Sequence, residues 1–193
     1  MNKYILLIMV LLVISTISCS DKAEIWSMKN KKVAQCIMEN SNDLKHLLSE
    51  DMINQVFLNS ENADVDESYG MILEYGYLEY SWINNRKKSI KLLDKQVMIT
   101  QNDLISISGI RKTNHFDFLD RYSFVENRDR DFSFKRIDAV GEVSIWNTKE
   151  NKLYVYLGEL QFIIRVDVAN ENEINENKSI EIANMIIENC LEK

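Results

Sequence analysis

The sequence predicts an α+β fold: an antiparallel sheet that ends in a C-terminal meander and is flanked by N-terminal and C-terminal helices. Three observations predict it. Apolar residues recur at helical spacing over residues 31–58 and again beyond Asn177. Stretches after Glu142 keep period two. Aromatic and β-branched residues concentrate between Tyr69 and Ile107. With 193 residues, 46% of them hydrophobic, and no proline, the chain suits one packed domain rather than two or a disordered segment.

Each element has a local reason. Over residues 31–58, Val33, Cys36 and Ile37 share one face, Leu44, Leu47, Leu48 and Met52 another, and Val56 with Phe57 extends the stripe. The capping residues Asn40–Ser41–Asn42–Asp43 predict a break and restart. Residues 59–68 read as an acidic loop. Strand character begins at Tyr69 and runs through Tyr75, Tyr77, Tyr80 and Trp82, with Gly76 leaving room for a bulge. Val97 and Ile99, then Ile105 and Ile107, alternate about the polar turn Gln101–Asn102–Asp103, which predicts a hairpin. Residues 111–136 read as a long excursion with one short helix near Phe118–Phe124.

The meander comes last. Val143 and Ile145, then Leu153, Val155 and Leu157, then Leu160 to Val168 form three strands with one buried face. Asn147–Asn151 makes the first turn, and Gly158–Glu159 suits a type II′ turn. The closing helix takes Asn177 as its cap and Ile180, Ala183, Ile187 and Cys190 as its apolar stripe.

Ahead of this domain, which spans residues 31–193, the chain carries a leader. Lys3 precedes the uncharged apolar run Tyr4–Ile14, and Ser15 to Ser18 lead into Cys19. The run falls short of the roughly twenty residues that span a bilayer and matches the hydrophobic region of a signal peptide. A small residue directly before a cysteine is similar to the lipobox of bacterial lipoprotein precursors, although Thr16 stands where leucine is commoner. That resemblance implies removal of residues 1–18, lipidation of Cys19, and a tether over residues 19–30. Several acyl chains, at about 0.8 kcal/mol per buried methylene, would then hold the protein to a membrane. Ser20 resembles an outer-membrane sorting signal, and the choice between inner and outer membrane stays open. The expected location is the cell envelope, with the domain facing the periplasm or the exterior. An ordinary secretory signal with an incidental cysteine is the alternative.

Loss of Lys3 with the leader would take the formal charge from −7 to −8. Such a surface repels nucleic acid and steers a basic partner inward. Cys36 and Cys190 remain after the anchor. In an oxidising compartment an even pair is expected to be bonded, and closing a loop of about 150 residues would contribute roughly 4–5 kcal/mol. Two buried thiols on helix faces are the alternative.

Leu47–Leu48–Ser49–Glu50–Asp51–Met52 resembles the opening helix of bacterial lipoproteins with the PsbP-like fold. Tyr77–Leu78–Glu79–Tyr80–Ser81–Trp82 sits where those proteins carry a Cys-x-Tyr/Trp strand, here without its cysteine. Val140–Gly141–Glu142–Val143–Ser144–Ile145–Trp146 is similar to their Leu-Gly-Asp-x-Ala-x-Trp turn, with Glu142 in place of Asp. Leu153–Tyr154–Val155, Gly158 and the helix from Ile180 to Met185 continue the likeness. It implies a PsbP-like α+β domain on a lipid anchor and carries over no catalytic residue.

The residues offer little reactive chemistry. His46 reads as a partly exposed helix histidine. His115 and Asp117 form a His-x-Asp pair followed by Asp120, Asp129 and Asp131, but zinc would want a further nitrogen or sulfur ligand, and no HExxH or CxxC spacing occurs. The five glycines are isolated, so there is no phosphate-cradling loop, and Gly-x-Ser-x-Gly is absent. No metal and no cofactor is expected.

The expectation is therefore a non-enzymatic, lipid-anchored envelope module that recognises another protein. One concrete form is an immunity-type inhibitor of a periplasmic toxin. Its candidate binding residues are Tyr75, Tyr77, Tyr80, Trp82 and Trp146, with the basic run Arg86, Lys87 and Lys88, which also reads as a solvated loop between strands. Two alternatives stand beside it: a small-ligand carrier or sensor using the concave side of the sheet near Trp82 and Trp146, and a hydrolase built from acidic residues around His115.

Overall fold

The computed structural model describes residues 27–57, 63–69, 76–128 and 133–192. The stretch expected to be a leader, Cys19 and Tyr75 lie outside the described residues, as do Asp129 and Asp131. The fold is mixed α+β, built on one seven-stranded antiparallel sheet. Helix α1 covers residues 27–39, a 3-10 turn covers Leu44–His46, and α2 covers Glu50–Val56. Strands β1 (Asp64–Tyr69), β2 (Gly76–Leu92) and β3 (Lys95–Lys112) follow, then α3 (His115–Arg128) and β4 (Phe134–Arg136). Strands β5 (Val143–Asn147), β6 (Lys152–Leu157) and β7 (Leu160–Asp167) form the meander, and α4 (Asn172–Glu192) closes the chain. The strand order is β1-β2-β3-β7-β6-β5-β4.

The predicted break after α1 is present. Asn40 Nδ2 donates to the Cys36 carbonyl at 2.8 Å, and the restart is capped by Ser49, whose hydroxyl accepts from the Met52 amide at 3.3 Å. Helix α1 begins at least by Ser27, so part of the stretch expected as a tether belongs to the fold. It is held against the β6–β7 turn: Glu142 Oε1 accepts from both Asn30 Nδ2 (3.1 Å) and the Gly158 amide (2.9 Å). A Cβ on Gly158 would come within 2.4 Å of the Asn30 carbonyl oxygen, so only glycine permits this approach. The Cys36–Cys190 bond, Cα to Cα 5.7 Å, ties α1 to α4 across 154 residues.

One face of the sheet is covered by α1, α2 and α4. Ile37, Leu44, Leu48, Ile105, Ile164 and Ile186 meet there, each completely buried. Burying such a side chain contributes about 1.5–3 kcal/mol. On the opposite face α3 lays Phe118 and Tyr122 over Val143, Ile145, Tyr154 and Tyr156. The meander therefore buries both faces along β5 and β6, not the single face expected, because the charged excursion folds back as a 14-residue helix.

Several local expectations are corrected. Asp64–Ser68, expected as loop, pairs with β2 as a polar edge strand. Gly76 sits opposite Tyr69, and the register shift falls between Trp82 and Arg86, where Asn85 adopts φ 51°. Gln101–Asn102–Asp103 lies inside β3, not in a turn; the chain reverses at Leu93–Asp94, with φ of 47° and 65°. Gly158 and Glu159 both take positive φ, which is type I′ geometry rather than II′. Asn177 lies within α4. The β7–α4 connection is instead closed by the buried Asn175, which accepts from the Val168 and Ala169 amides and donates to the Ala169 carbonyl.

Candidate functional site

Beyond Asp103, β2 and β3 leave the sheet together as a two-stranded arm. Pairing continues from Arg86–Gln101 to Leu92–Lys95, and among the described residues no third strand flanks it, since β7 ends at Asp167 opposite Leu104. Directly opposed residues share a face. One face thus carries Lys88 with Ile99, Ile90 with Val97, and Leu92 with Lys95; the other carries Lys87 with Thr100, Ser89 with Met98, and Lys91 with Gln96. The first is an apolar stripe with lysines at both ends. At the tip, Leu93 is 92% exposed.

A buried polar joint fixes the arm's base. Arg86 uses all five donors of its guanidinium. Nε donates to Asp103 Oδ1 at 2.8 Å, one terminal nitrogen to the Asp167 carbonyl and carboxylate, each at 2.8 Å, and the other to the Ala169 carbonyl and Asn170 Oδ1, each at 3.1 Å. Asn84 donates to Asp103 at 2.7 Å, and Gln101 donates to Asp167 at 2.5 Å. Asp103 and Asp167 are only 2% and 3% exposed, and Lys88 stands 3.9 Å from the second carboxylate. The bulge at residues 83–85 sets Arg86 opposite Gln101 so that it reaches both acids. A hairpin alone is marginal in water, and this joint supplies the rigid attachment the arm otherwise lacks.

The structure divides the residues singled out in the sequence. Arg86, Lys87 and Lys88 lie on this arm and its base, not in a solvated loop. Tyr80, Trp82 and Trp146 are buried among the residues that face the helices, so they form core and not a groove. The Tyr80 hydroxyl donates to the Leu48 carbonyl at 3.0 Å, and burial, reinforced by Glu50 and Glu67, pushes its pKa up to about 12. Asp117 accepts from Asn114 Nδ2, while its amide donates to Asn114 Oδ1; the pair caps α3. The His115 ring rests 5.5 Å from that of Tyr156, and exposed His46 pairs with Asp43 at 2.9 Å. Among the described residues no three His, Cys, Asp or Glu side chains gather as a metal site.

Among the described predicted aromatics, Tyr77 reaches an open cleft of about 520 Å³ on the face of the sheet that carries α3. Ser106, Gly109, Arg111, Tyr122, Lys152 and Arg165 help to line it. Burial, then a hydrogen bond to Glu79, raises the Tyr77 pKa; burial holds Tyr122 at about 12 despite Arg111 and Gln161. Sequence reading missed Asp103, Asp167, Arg111, Lys152 and Arg165. A charged residue inside an otherwise alternating strand was the signal available for Asp103 and Arg165. No family model, no curated protein and no solved structure matches this chain.

Proposed function

We propose that the protein is a lipid-anchored envelope module, PsbP-like in its domain, which binds another protein through the β2–β3 arm. The observation that carries this reading is the arm itself: apolar residues exposed on a projection anchored at its base, at the far end of the fold from α1. Asn30 packs at Gly158, beside the end of β3 where Lys112 opposes Leu160, whereas the arm leaves the opposite end. An 18-residue strand at about 3.3 Å per residue places the tip roughly 50–60 Å from that end. A membrane anchor preceding α1 would leave the arm reaching outward.

Charge selects the partner. The chain is acidic overall, which by itself favours a basic partner. The arm is locally cationic, with Lys87, Lys88, Lys91 and Lys95 against Asp94. Its apolar stripe between lysines fits a protein surface with an apolar centre and an acidic rim. An immunity-type complex with a toxin is one form of this reading.

The test compares the full mature protein with its Leu92→Asp/Ile99→Asp variant. Both residues are exposed, so thermal stability should stay within about 0.5 kcal/mol. Wild type should retain a stoichiometric partner from envelope extract, with affinity falling as salt rises, and the variant should lose at least about tenfold. Equal capture by the two proteins sinks the reading. Concentration-dependent dimerisation in sedimentation, or co-sedimentation with phosphatidylglycerol vesicles that the variant abolishes, would reassign the arm to a second copy or to lipid. Mass spectrometry should find Cys19 as an acylated N-terminus.

A further inference from the structure

We infer that the cleft beside α3 on the sheet is a binding site for a small organic anion, its oxyanion head held by Arg165 and Lys152 and its body lying over Gly109 and Ile163. The site is separate from the arm.

Two observations carry it independently. Arg165 on β7 and Lys152 on β6 are register partners, directly opposed across the strands. Like charges in that position destabilise a sheet, and the chain as a whole carries an excess of acids. Arg165 Nε is also buried with no hydrogen-bond partner among the described residues. A buried donor of that kind normally has an acceptor, and an oxyanion between the two cations would supply one and offset their repulsion.

The surroundings agree in chemistry. No Asp or Glu side chain among the described residues lines the cleft. Two acids stand near and are engaged: Glu79 accepts from the Tyr77 hydroxyl, and Glu150 pairs with Lys152 at 2.6 Å, so Lys152 shares its charge and Arg165 is the principal cation of the site. Hydroxyls of Ser106 and Ser108 stand on the β3 side, Ser106 directly opposite Arg165. Further along, Gly109 adds no side chain to the floor, and a Cβ there would strike Ile163 Cδ1 at 2.7 Å. Tyr77 and Tyr122 line the same space. At about 520 Å³ the cleft exceeds a bare phosphate and falls in the range of small-molecule sites. Arg111, bonded to Gln161 at 3.2 Å, marks the end away from Arg165.

The head can be phosphate or carboxylate, since a guanidinium fork receives either. Calorimetric titration of the full mature protein at low salt uses phenyl phosphate, benzoate and inorganic phosphate as probes. Saturable binding of phenyl phosphate or benzoate is expected, about tenfold tighter than that of inorganic phosphate, and the tighter of the two identifies the head. Arg165→Gln should weaken it at least about tenfold, while Leu92→Asp/Ile99→Asp on the arm leaves it unchanged. Should Arg165→Gln melt early, Lys152→Gln on the rim takes its place with the same expectation. No saturable heat up to about 10 mM of any probe, or equal affinity in wild type and the cleft variant, overturns the site. Because the arm is not involved, this outcome and that of the partner test are independent.

Discussion

Strands β2 and β3 each consist of a body half and an arm half, and both halves carry large apolar residues, although the arm half of β2 is also rich in lysine. In the body, Leu78, Tyr80, Trp82, Ile105 and Ile107 are at most 4% exposed. In the arm, Leu92, Val97, Met98 and Ile99 are 36–60% exposed on the same continuous strands. What differs is the neighbour. The body halves lie between β1 and β7 and beneath helices contributed from both chain ends, whereas among the described residues the arm halves pair with each other and touch the rest of the fold near their base, through Asn170 and Asp167. Strand patterning therefore reports a capacity to be buried, and distant elements decide whether the fold itself fulfils it. The boundary is the joint of Arg86, Asp103 and Asp167, where the strands stop facing oil and begin facing water.

The strongest way to separate the halves is to loosen the cover of the body alone. Cys36–Cys190 clamps α1 to α4, and a loop of this length contributes about 5 kcal/mol in the chain-entropy account. Cys190→Ser should therefore shift urea unfolding by up to that amount. Hydrogen exchange should rise across α1 and α4 while amides of residues 87–100 exchange as before. If arm and body lost protection together, the two halves would be one cooperative unit.

The joint comes next. Removing its cation leaves two buried carboxylates with the amides of Asn84 and Gln101 and, at 3.9 Å, the Lys88 ammonium, and breaking a buried pair in this way costs about 3–5 kcal/mol. Arg86→Met should show that loss in denaturant unfolding. Adding Asp103→Asn and Asp167→Asn should recover part of it, because the triple variant no longer buries unpaired charge. A single variant as stable as wild type would mean that the joint does not hold the arm.

Much of the fold was legible because its signals are local. The meander declares itself through period two from Val143 to Val166, and the helices at both ends through their apolar stripes. The cysteines, both on helices, are bonded as favoured. The candidate site was far less legible. Gln101–Asn102–Asp103 has the composition of a turn, yet it stays in β3 because Arg86, 17 residues earlier, satisfies Asp103. Leu93–Asp94 lacks the glycine or asparagine that usually marks a two-residue reversal, so the true turn carried no signal. Trp82 and Trp146 looked like ligand-binding aromatics and are core, since nothing local told which sheet face the helices would cover. The cleft pair Lys152 and Arg165 is defined by register across β6 and β7, and register is a property of the folded sheet.

The smallest expected effect is the most pointed, because it asks one substitution to do two different things on one strand. Ile105 and Ile99 lie six residues apart on β3 and face the same side by alternation. Ile105→Ala removes a completely buried side chain and should cost about 2–4 kcal/mol, the loss of transfer energy plus a cavity the helices cannot fully close. Ile99→Ala removes the same atoms from a side chain that already meets water and should change unfolding by no more than about 0.5 kcal/mol. The difference measures what the helices contribute at one position and withhold at the other. A large loss at Ile99 would mean that the arm is covered within the free protein after all, and its apolar stripe would then be spoken for before any partner arrived. A small loss leaves that stripe stable while exposed, which is the condition for presenting it to another surface.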